Sequence, residues 1–404
     1  MPTSLNLDNV TQALKEHYKP LTVKNMVYKD NPLLALMPKY ERFGGENMPV
    51  PVQYGIANRR SADFATGQGL NTATELARFV LTRVKDYSFA SITGETIKAT
   101  EGAADAFLKY ATLEIDGAIQ SLTRSLAVAM YANGSGSLGT ANIKSGTTLE
   151  MIKEDQITNI EVGMELNCSG TATGAIRAGT TMVVQTVDRD AGEFTVDNVG
   201  AFVNGDHIFQ RGDAQNNGTA KKVSGLEAWL PSTAPVPADP LFFSQNRSKD
   251  ATRLGGIRFD GSAQPIEEAL IGAASRLARE GGSPSHCFMN FANFANLEKA
   301  LGSKVVYDKV SSDDADIGFQ SLTLIGPKGP IQIVADQNCT PDVAYLLQMD
   351  TWTLNSLGAA PHILDLDGNR MLREASADAY EVRVGFYGNI GCTAPGYNAR
   401  VKLA

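Results

Sequence analysis

One long segment of the chain, residues 101–131, repeats its hydrophobic positions at the three-four spacing of a single helical face. The apolar positions are Ala104, Phe107, Leu108, Ala111, Ile115, Ala118, Ile119, Leu122, Leu126, Ala129 and Met130. Asn133-Gly134 follows, a pair typical of the end of a helix. Because a helix rises about 1.5 Å per residue, the segment predicts a rod of roughly 45 Å that lies along a sheet or across a domain.

Two strand patterns upstream of that helix predict a long hairpin over residues 46–94. Met48, Val50 and Val52 alternate with other positions, and residues 77–92 form a second apolar run. Between the two runs lies a polar tip, residues 58–74. Charged residues interrupt the second run, so the hairpin either lies on its own domain or extends over a neighbouring subunit. An isolated two-stranded hairpin is marginal in water, and the mixed faces favour the extended interpretation.

The first 45 residues have the pattern of an arm. Pro20, Pro32 and Pro38 split short amphipathic pieces, and proline disfavours helix interiors. Residues 31–38 are apolar and bracketed by prolines, and such a short piece could not bury itself alone. We expect it to pack on the body of the same subunit or of a neighbouring one.

After the long helix the pattern changes twice. Residues 134–145 are rich in Gly, Ser, Ala and Asn, which predicts a linker. Residues 146–224 then carry short β-type runs separated by turns such as Arg189-Asp190-Ala191-Gly192. This alternation predicts a small all-β barrel inserted into the main fold.

The last part of the chain, after Gly225, has an α/β pattern. Residues 231–261 are irregular, and a helix is predicted to start at Pro265 and to end at Gly281-Gly282. Asn290 is predicted to cap a second helix. The predicted strands are Cys287–Met289, Leu322–Ile325, Ile331–Val334, Val343–Met349 and Tyr380–Ile390, the last leading into a Gly/Pro-rich tail.

Composition narrows the class of protein. A chain of 404 residues is too long for one ordinary core, so two or three domains are expected. No apolar run approaches the roughly 20 residues that cross a bilayer, and no secretory signal precedes residue 15, so we expect a cytoplasmic protein. The net charge of −8 and the scattered basic residues argue against tight DNA binding. They do not argue against enclosing DNA, which a weakly acidic wall can do without adhering to it.

Residues for catalysis or metal binding are not grouped along the sequence. The four cysteines, Cys168, Cys287, Cys339 and Cys392, form no CxxC pair and are expected to be reduced and partly buried. The four histidines lie far apart, and neither a GxSxG elbow nor a GxxxxGK[ST] phosphate loop is present. The sequence therefore predicts no cofactor, no metal site and no enzymatic activity.

The order of elements resembles one known family. An arm, a long hairpin, a long helix, a loop-rich α/β domain and a late return strand are typical of Hong Kong 97-type major capsid proteins of tailed bacteriophages. Three local stretches resemble the family as well: Asn31-Pro32-Leu33-Leu34 before Phe43-Gly44-Gly45, the helix at 265–280 leading into residues 283–290, and Gly326-Pro327-Lys328-Gly329-Pro330 before the strand at 331–334. The resemblance covers nearly the whole chain except residues 146–224.

The resemblance implies an α+β capsid fold and a role for each region. The implied units are an N-terminal arm (1–45), an extended loop hairpin (46–94), a peripheral domain with a spine helix (95–145), an inserted β-barrel-like domain (146–224), an axial domain (225–355) and a return to the peripheral domain with the C-terminus (356–404). The implied function is self-assembly, as hexamers and pentamers, into the icosahedral head that encloses the double-stranded DNA genome. The implied partners are further copies of the chain, a portal protein at one vertex and a possible decoration protein. A separate scaffolding protein is also expected, because no long charged helical region precedes the arm.

Contacts between subunits are the candidate functional residues. Arg59 and Arg60 at the hairpin tip are the foremost, since arginine makes bidentate ion pairs, although both could simply be solvated. The full set of candidates is Arg59, Arg60, Asp63, Arg83, Lys85, Asp86, Leu33 and Leu34. An encapsulin-like nanocompartment shell, which shares this fold, remains an alternative. Another virion structural protein and an enzyme with a cryptic site are weaker ones.

Overall fold

A computed structural model describes residues 31–70, 72–95, 104–179, 181–215, 219–301, 307–309, 320–365, 371–374 and 377–404. Residues 1–30 of the predicted arm and residues 101–103 of the predicted helix lie outside the described residues.

Strands outnumber helices in the described part of the chain. The α-helices are α1 (Pro32–Leu36), α2 (Phe64–Gly69), α3 (Ala104–Tyr131), α4 (Leu226–Trp229), α5 (Ile266–Arg279) and α6 (Phe291–Leu301). The strands are β1 (Lys39–Tyr40), β2 (Asn47–Gln53), β3 (Leu76–Thr82), β4 (Val84–Thr93), β5 (Ser137–Ser145), β6 (Thr148–Met151), β7 (Glu165–Ser169), β8 (Met182–Asp188), β9 (Glu193–Val196), β10 (Asp206–Gln210), β11 (Ile257–Asp260), β12 (His286–Met289), β13 (Tyr307–Lys309), β14 (Gln320–Gly326), β15 (Gly329–Ala335), β16 (Val343–Leu347), β17 (Trp352–Ser356), β18 (His362–Ile363), β19 (Leu372–Arg373), β20 (Ala379–Cys392) and β21 (Ala399–Lys402). Among the described residues, no helix is long and apolar enough to span a membrane.

The long helix α3 lies on a six-stranded sheet built around β20. The sheet has the order β1-β17-β20-β18, and β4 and β19 also pair with β20. Leu122 and Leu126 of α3 are buried in one core with Val384 and Phe386 of β20. The helix predicted from the three-four spacing is thus confirmed from Ala104 onward, and it packs along a sheet as expected.

The predicted second strand of the hairpin, residues 77–92, is wrong as a single strand. β3 pairs with β2 in a two-stranded hairpin, whereas β4 pairs with β20 in the six-stranded sheet. The buried positions are odd-numbered in β3, with Phe79 and Leu81, and even-numbered in β4, with Ala90 and Ile92. Because side chains alternate along a strand, this change of phase at Arg83 moves the chain from one sheet to the other.

A closed six-stranded barrel lies between α3 and α4, with the order β10-β5-β6-β9-β8-β7. Its first strand, β5, occupies most of the segment predicted as a linker, so that prediction is wrong. Gly139 in β5 has φ of +148°, and a Cβ there would lie 2.5 Å from side-chain atoms of Met151 and Gln156. Glycine-rich composition in this segment therefore reflects close packing inside a barrel and not a flexible connection.

The seven-stranded sheet has the order β11-β21-β16-β12-β15-β14-β13. Helices α5 and α6 begin and end close to their predicted bounds, and the amide of Ala292 donates to Asn290 Oδ1 at 2.9 Å, which confirms the predicted cap. One face of the sheet, with Cys287 and Leu346, packs under α5 and α6. The other face, with Phe288 and Tyr345, joins the core that contains α3 and the six-stranded sheet.

Two strands lie in a different sheet from the one that the implied domain bounds suggest. The implied axial unit ends at residue 355 and so contains most of β17, but β17 pairs with β20 in the six-stranded sheet. The implied peripheral unit contains β21, in the predicted Gly/Pro-rich tail, but β21 pairs with β11 and β16 of the seven-stranded sheet. The last strand therefore lies between two strands of the second sheet and not in the first sheet.

The apolar stretch at residues 31–38 packs on its own subunit. It forms α1, and Leu33, Leu34 and Met37 are buried in the core shared with α3. Asn31 Oδ1 also accepts a hydrogen bond from Asn338 Nδ2 at 3.1 Å. Of the two predicted burial sites, the body of the same subunit or that of a neighbour, these residues occupy the first.

Candidate assembly surface

The base of the hairpin is fixed to the body of the subunit. Val50 and Val52 of β2 and Phe79 and Leu81 of β3 point inward and are buried. The ring of Phe79, fully buried, lies edge-on to Trp229 with 4.9 Å between centroids. The hairpin therefore lies on its own domain at this end, as the first of the two interpretations held.

A strained turn completes the base. Phe243 and Ser244 adopt φ of +45° and +64°, a left-handed conformation that costs non-glycine residues free energy. The carbonyl of Phe243 accepts a hydrogen bond from the Val80 amide at 2.9 Å, and its ring packs on Trp229 with centroids 5.6 Å apart. Packing and hydrogen bonding together hold the strained turn against β3.

The outer edge of β2 is protected against further strand pairing. Pro49 pairs with Val80 and Pro51 with Arg78. Since the amide of Val80 points away from β2 toward Phe243, the pair Val80–Pro49 lies at a non-hydrogen-bonded position, and Pro51 has the same phase. The outward amides that an added strand would need are thus missing at two positions. Addition of a further strand at this edge is therefore disfavoured.

The two arms of the hairpin stay joined beyond the strands. Tyr54 donates to Glu75 Oε2 at 3.0 Å, and the amide of Asn58 donates to Thr72 Oγ1 at 2.8 Å. Thr72 Oγ1 returns a hydrogen bond to the Asn58 carbonyl at 2.9 Å, and Arg59 Nε donates to the Thr72 carbonyl at 3.1 Å. The projecting tip is therefore an ordered unit.

Helix α2 gives the tip its shape. Asp63 caps it, accepting from the Thr66 amide at 2.8 Å and from the Thr66 hydroxyl at 2.6 Å. The hydroxyl and amide hydrogen bonds from Thr66 lower the pKa of Asp63, so the carboxylate stays ionised. Gly67, Gln68 and Gly69, in the segment predicted only as a polar tip, form the C-terminal end of this helix. Asp63 is thus engaged in a cap and is a weak candidate for contact with a neighbour.

Large apolar side chains at the tip and at the two positions that flank it are exposed to solvent. Phe64 is 83% exposed, Ile56 78% and Leu76 70%. Exposed apolar area of this kind on a projecting element is typical of a surface that another protein covers. These residues are absent from the predicted contacts, which at the tip are all charged. The signal that could have identified Phe64 is a large apolar residue inside a polar segment.

The predicted contact residues divide into two groups. Arg59, Arg60 and Lys85 are exposed, and neither Arg59 nor Arg60 forms an ion pair within the described residues. Leu33 and Leu34 are buried in the core of their own subunit, so their side chains are not part of its surface.

Arg83 and Asp86 are also engaged inside the subunit. Arg83 Nη1 donates to the Phe43 carbonyl at 2.8 Å, and its guanidinium lies 5.4 Å from the centre of the Phe43 ring. Asp86 points toward α3, where it accepts from Ser125 and Lys222. Both residues interrupt the hydrophobic alternation because the chain changes sheets there.

A second exposed apolar area lies on the open face of the six-stranded sheet. Tyr87 and Phe89 of β4 are exposed there. The rings of Tyr87 and Phe89 stack at 6.4 Å, and Tyr387 lies edge-on to Tyr87 at 5.8 Å. The opposite face of the same strands packs against α3, so this face has no apolar cover from that helix.

The cysteine thiols are buried, and two of the histidine rings lie beside serine hydroxyls. All four cysteines are free and buried, and burial raises the pKa of Cys287 and of Cys392 to about 12, so neither thiol is poised to react. His207 lies 3.0 Å from Ser137 Oγ, and His286 lies 2.9 Å from Ser285 Oγ. Within the described ranges, no group of three or more His, Cys, Asp or Glu side chains is placed to hold a metal ion.

Solved structures with the same arrangement of elements come from phage capsids. The capsid asymmetric unit of cyanophage A-1(L) is 11% identical, covers 98% of this chain and 99% of its own, and has a TM-score of 0.54. The capsid of an empty GTA particle is 10% identical, with coverage of 97% and 96% and a TM-score of 0.49. The capsid of Myoviridae phage XM1 is 7% identical over 100% of both chains, with a TM-score of 0.46. The likeness to the cyanophage A-1(L) capsid chain shows that this chain has the fold of that capsid protein.

The sequence places the chain more narrowly. The profile of the SU10 major capsid protein family matches residues 164–369, which is half of the chain, so the chain belongs to that family. The expected membership among phage major capsid proteins is confirmed, and the family is a structural one. No curated protein sequence matches the chain.

Proposed function

We propose that the chain assembles as hexamers and pentamers into the icosahedral head that encloses the double-stranded DNA of its phage. The observation that carries the proposal is the hairpin, whose base is fixed to the body while its tip presents Phe64, Ile56 and Leu76 to solvent. Burying these side chains on a neighbour is favourable by about 25 cal/mol per Å² of apolar surface. Family membership supports the same reading.

The regions of the fold take the roles that the resemblance implies. The six-stranded sheet with α3 is the peripheral domain, and the seven-stranded sheet with α5 and α6 is the axial domain that packs around local symmetry axes. Residues 46–94 are the extended loop only as far as β2, the tip and β3, because β4 belongs to the peripheral sheet. The six-stranded barrel is an inserted domain.

The partners follow from this role. Further copies of the chain are the principal partner, with a portal protein at one vertex, a separate scaffolding protein and a possible decoration protein. The chain is a virion component that assembles in the host cytoplasm. Its net charge of −8 suits a wall that encloses DNA without sequence-specific binding.

The test uses a double variant of the tip arginines, Arg59→Ala with Arg60→Ala, co-expressed with the scaffolding protein. We expect fewer closed shells by negative-stain electron microscopy and by sedimentation, because the tip loses its two unpaired cations. The matched control is Arg189→Ala with Arg211→Ala, which removes two exposed arginines from the barrel and should leave the shell yield unchanged.

The proposal fails if the tip variant forms shells with the yield and thermal stability of the parent protein. The contents of the parent shells decide the alternative: DNA supports a phage head, whereas enclosed protein cargo supports an encapsulin-like compartment.

A further inference from the structure

The barrel and the body have separate apolar cores. The barrel core contains Leu166, Val184 and Phe194, and the core around α3 contains no residue of the six barrel strands. Cavities of about 250 Å³ and 400 Å³ lie where the barrel faces α3 and the seven-stranded sheet. Their lining combines polar side chains such as Arg124 and Gln337 with apolar ones such as Val128 and Leu138. Because the two units share no apolar core, polar contacts contribute strongly to how the barrel sits on the body.

One lysine joins the two units. Lys222 Nζ donates to Asp86 Oδ2 at 2.8 Å and to Ser125 Oγ at 3.0 Å, and it lies 2.9 Å from Asp213 Oδ2. Ser125 in turn donates to Asp86 Oδ2 at 2.6 Å. Asp86 lies on β4 and Ser125 on α3, whereas Asp213 lies three residues after the end of β10, the last strand of the barrel. A single ammonium group thus connects the sheet, the long helix and the exit of the barrel.

The cluster is largely withdrawn from solvent, with side-chain exposures of 10% for Lys222, 16% for Asp86 and 24% for Asp213. Burial acts to lower the pKa of Lys222, but the two carboxylates outweigh it and raise that pKa, so the ammonium stays charged. Burial raises the pKa of Asp213, and Lys222 offsets only part of that effect. Removing the cation would leave two carboxylates facing each other out of water, which is strongly unfavourable.

The other ion pairs between barrel and body are more exposed. Lys153 pairs with Asp342 of the seven-stranded-sheet unit, and both side chains are nearly half exposed. Arg124 of α3 pairs with Glu161 at 2.5 Å, with side-chain exposures of 20% and 41%. Exposed pairs contribute little free energy, and the Lys222 cluster is the most buried of these contacts.

We propose that Lys222 is a latch that holds the barrel in one orientation on the body. Without it, the barrel stays folded on its own core but moves as a unit about its connections, which include residues 132–136, 211–215 and 219–224. The latch is a conformational device inside one subunit and does not depend on the assembly role proposed above.

The test compares Lys222→Met with the parent in full-length, unassembled subunits. Hydrogen exchange should rise at least tenfold in residues 211–215 and 219–224, while the amides of β8 and β9 keep their protection. Spin labels on the barrel and on the body, attached at exposed sites since the native cysteines are buried, should show a broadened distance distribution. Lys153→Met is the matched control and should change neither measurement.

Two further variants keep the test decisive if Lys222→Met does not fold. Ser125→Ala removes one acceptor and should give a smaller rise in exchange, and Lys222→Arg should restore much of the protection. Unchanged exchange and an unchanged distance distribution in Lys222→Met would overturn the latch. Loss of protection in β8 and β9 would overturn it as well, because Lys222 would then support the barrel fold itself.

Discussion

The base of the hairpin is buried in the subunit, whereas its tip is exposed to solvent. At the base, Phe79 is fully buried against Trp229, and the strained Phe243-Ser244 turn holds β3 in place. At the tip, Phe64 is 83% exposed on a short capped helix. The same two strands therefore contribute to the stability of the subunit at one end and offer surface to another protein at the other. Substitutions at the two ends should separate folding from assembly.

The largest effect is expected at the base. Phe79→Ala removes a fully buried ring and leaves a cavity beside Trp229, which should lower the free energy of unfolding by about 3–5 kcal/mol. Urea unfolding followed by tryptophan fluorescence measures the change. Phe79→Leu, which keeps most of the volume, should lose much less, and equal losses in both variants would contradict packing as the cause.

A smaller and local effect is expected at the cap of α2. Asp63→Ala removes the acceptor of the Thr66 amide, so the tip helix should open more often and the amides of residues 66–68 should exchange several-fold faster. Asp63→Ser keeps a capping oxygen and should stay close to the parent. The midpoint of global unfolding should not move, and a clear shift would mean that the tip is coupled to the core.

The smallest effect on the subunit is expected at the exposed ring of the tip. Phe64→Ser should change the free energy of unfolding by less than about 0.5 kcal/mol, because the side chain is already in solvent. Shell yield should nevertheless fall, as measured by sedimentation of the co-expressed protein. Normal assembly in this variant would show that the apolar surface of the tip is not buried in the shell.

Periodic elements of this fold could be predicted from the sequence, and sheet membership could not. The spacing in α3 and α5, the cap at Asn290 and the buried run of β12 depend on neighbours in the chain, and all lie where expected. The placement of β17 and β21 depends on pairing with strands far away in sequence, which local pattern does not encode. The change of sheet at Arg83 differs from these two, because the local phase of the buried positions indicates it. The single strand predicted over residues 77–92 missed that signal.

The candidate surface was predicted only in part for a related reason. Charge predicted contacts at Arg59 and Arg60, which are exposed at the tip. Charge also predicted contacts at Arg83 and Asp86, but these residues form hydrogen bonds inside the subunit. A charged residue in an apolar run indicates either exposure or a specific buried partner, and only the fold distinguishes the two. Lys222 shows the same difficulty, since in sequence it is one half of a short basic pair.

The prolines of β2 have a consequence for how copies of the chain add to one another. Backbone pairing along a free strand edge can repeat without end, and it leads to linear aggregates. With Pro49 and Pro51 on that edge, repeated backbone pairing is disfavoured, and side chains at the tip are left as the exposed apolar surface of the hairpin. The rotation between one copy and the next then decides whether such contacts close into a ring or shell or continue as a filament.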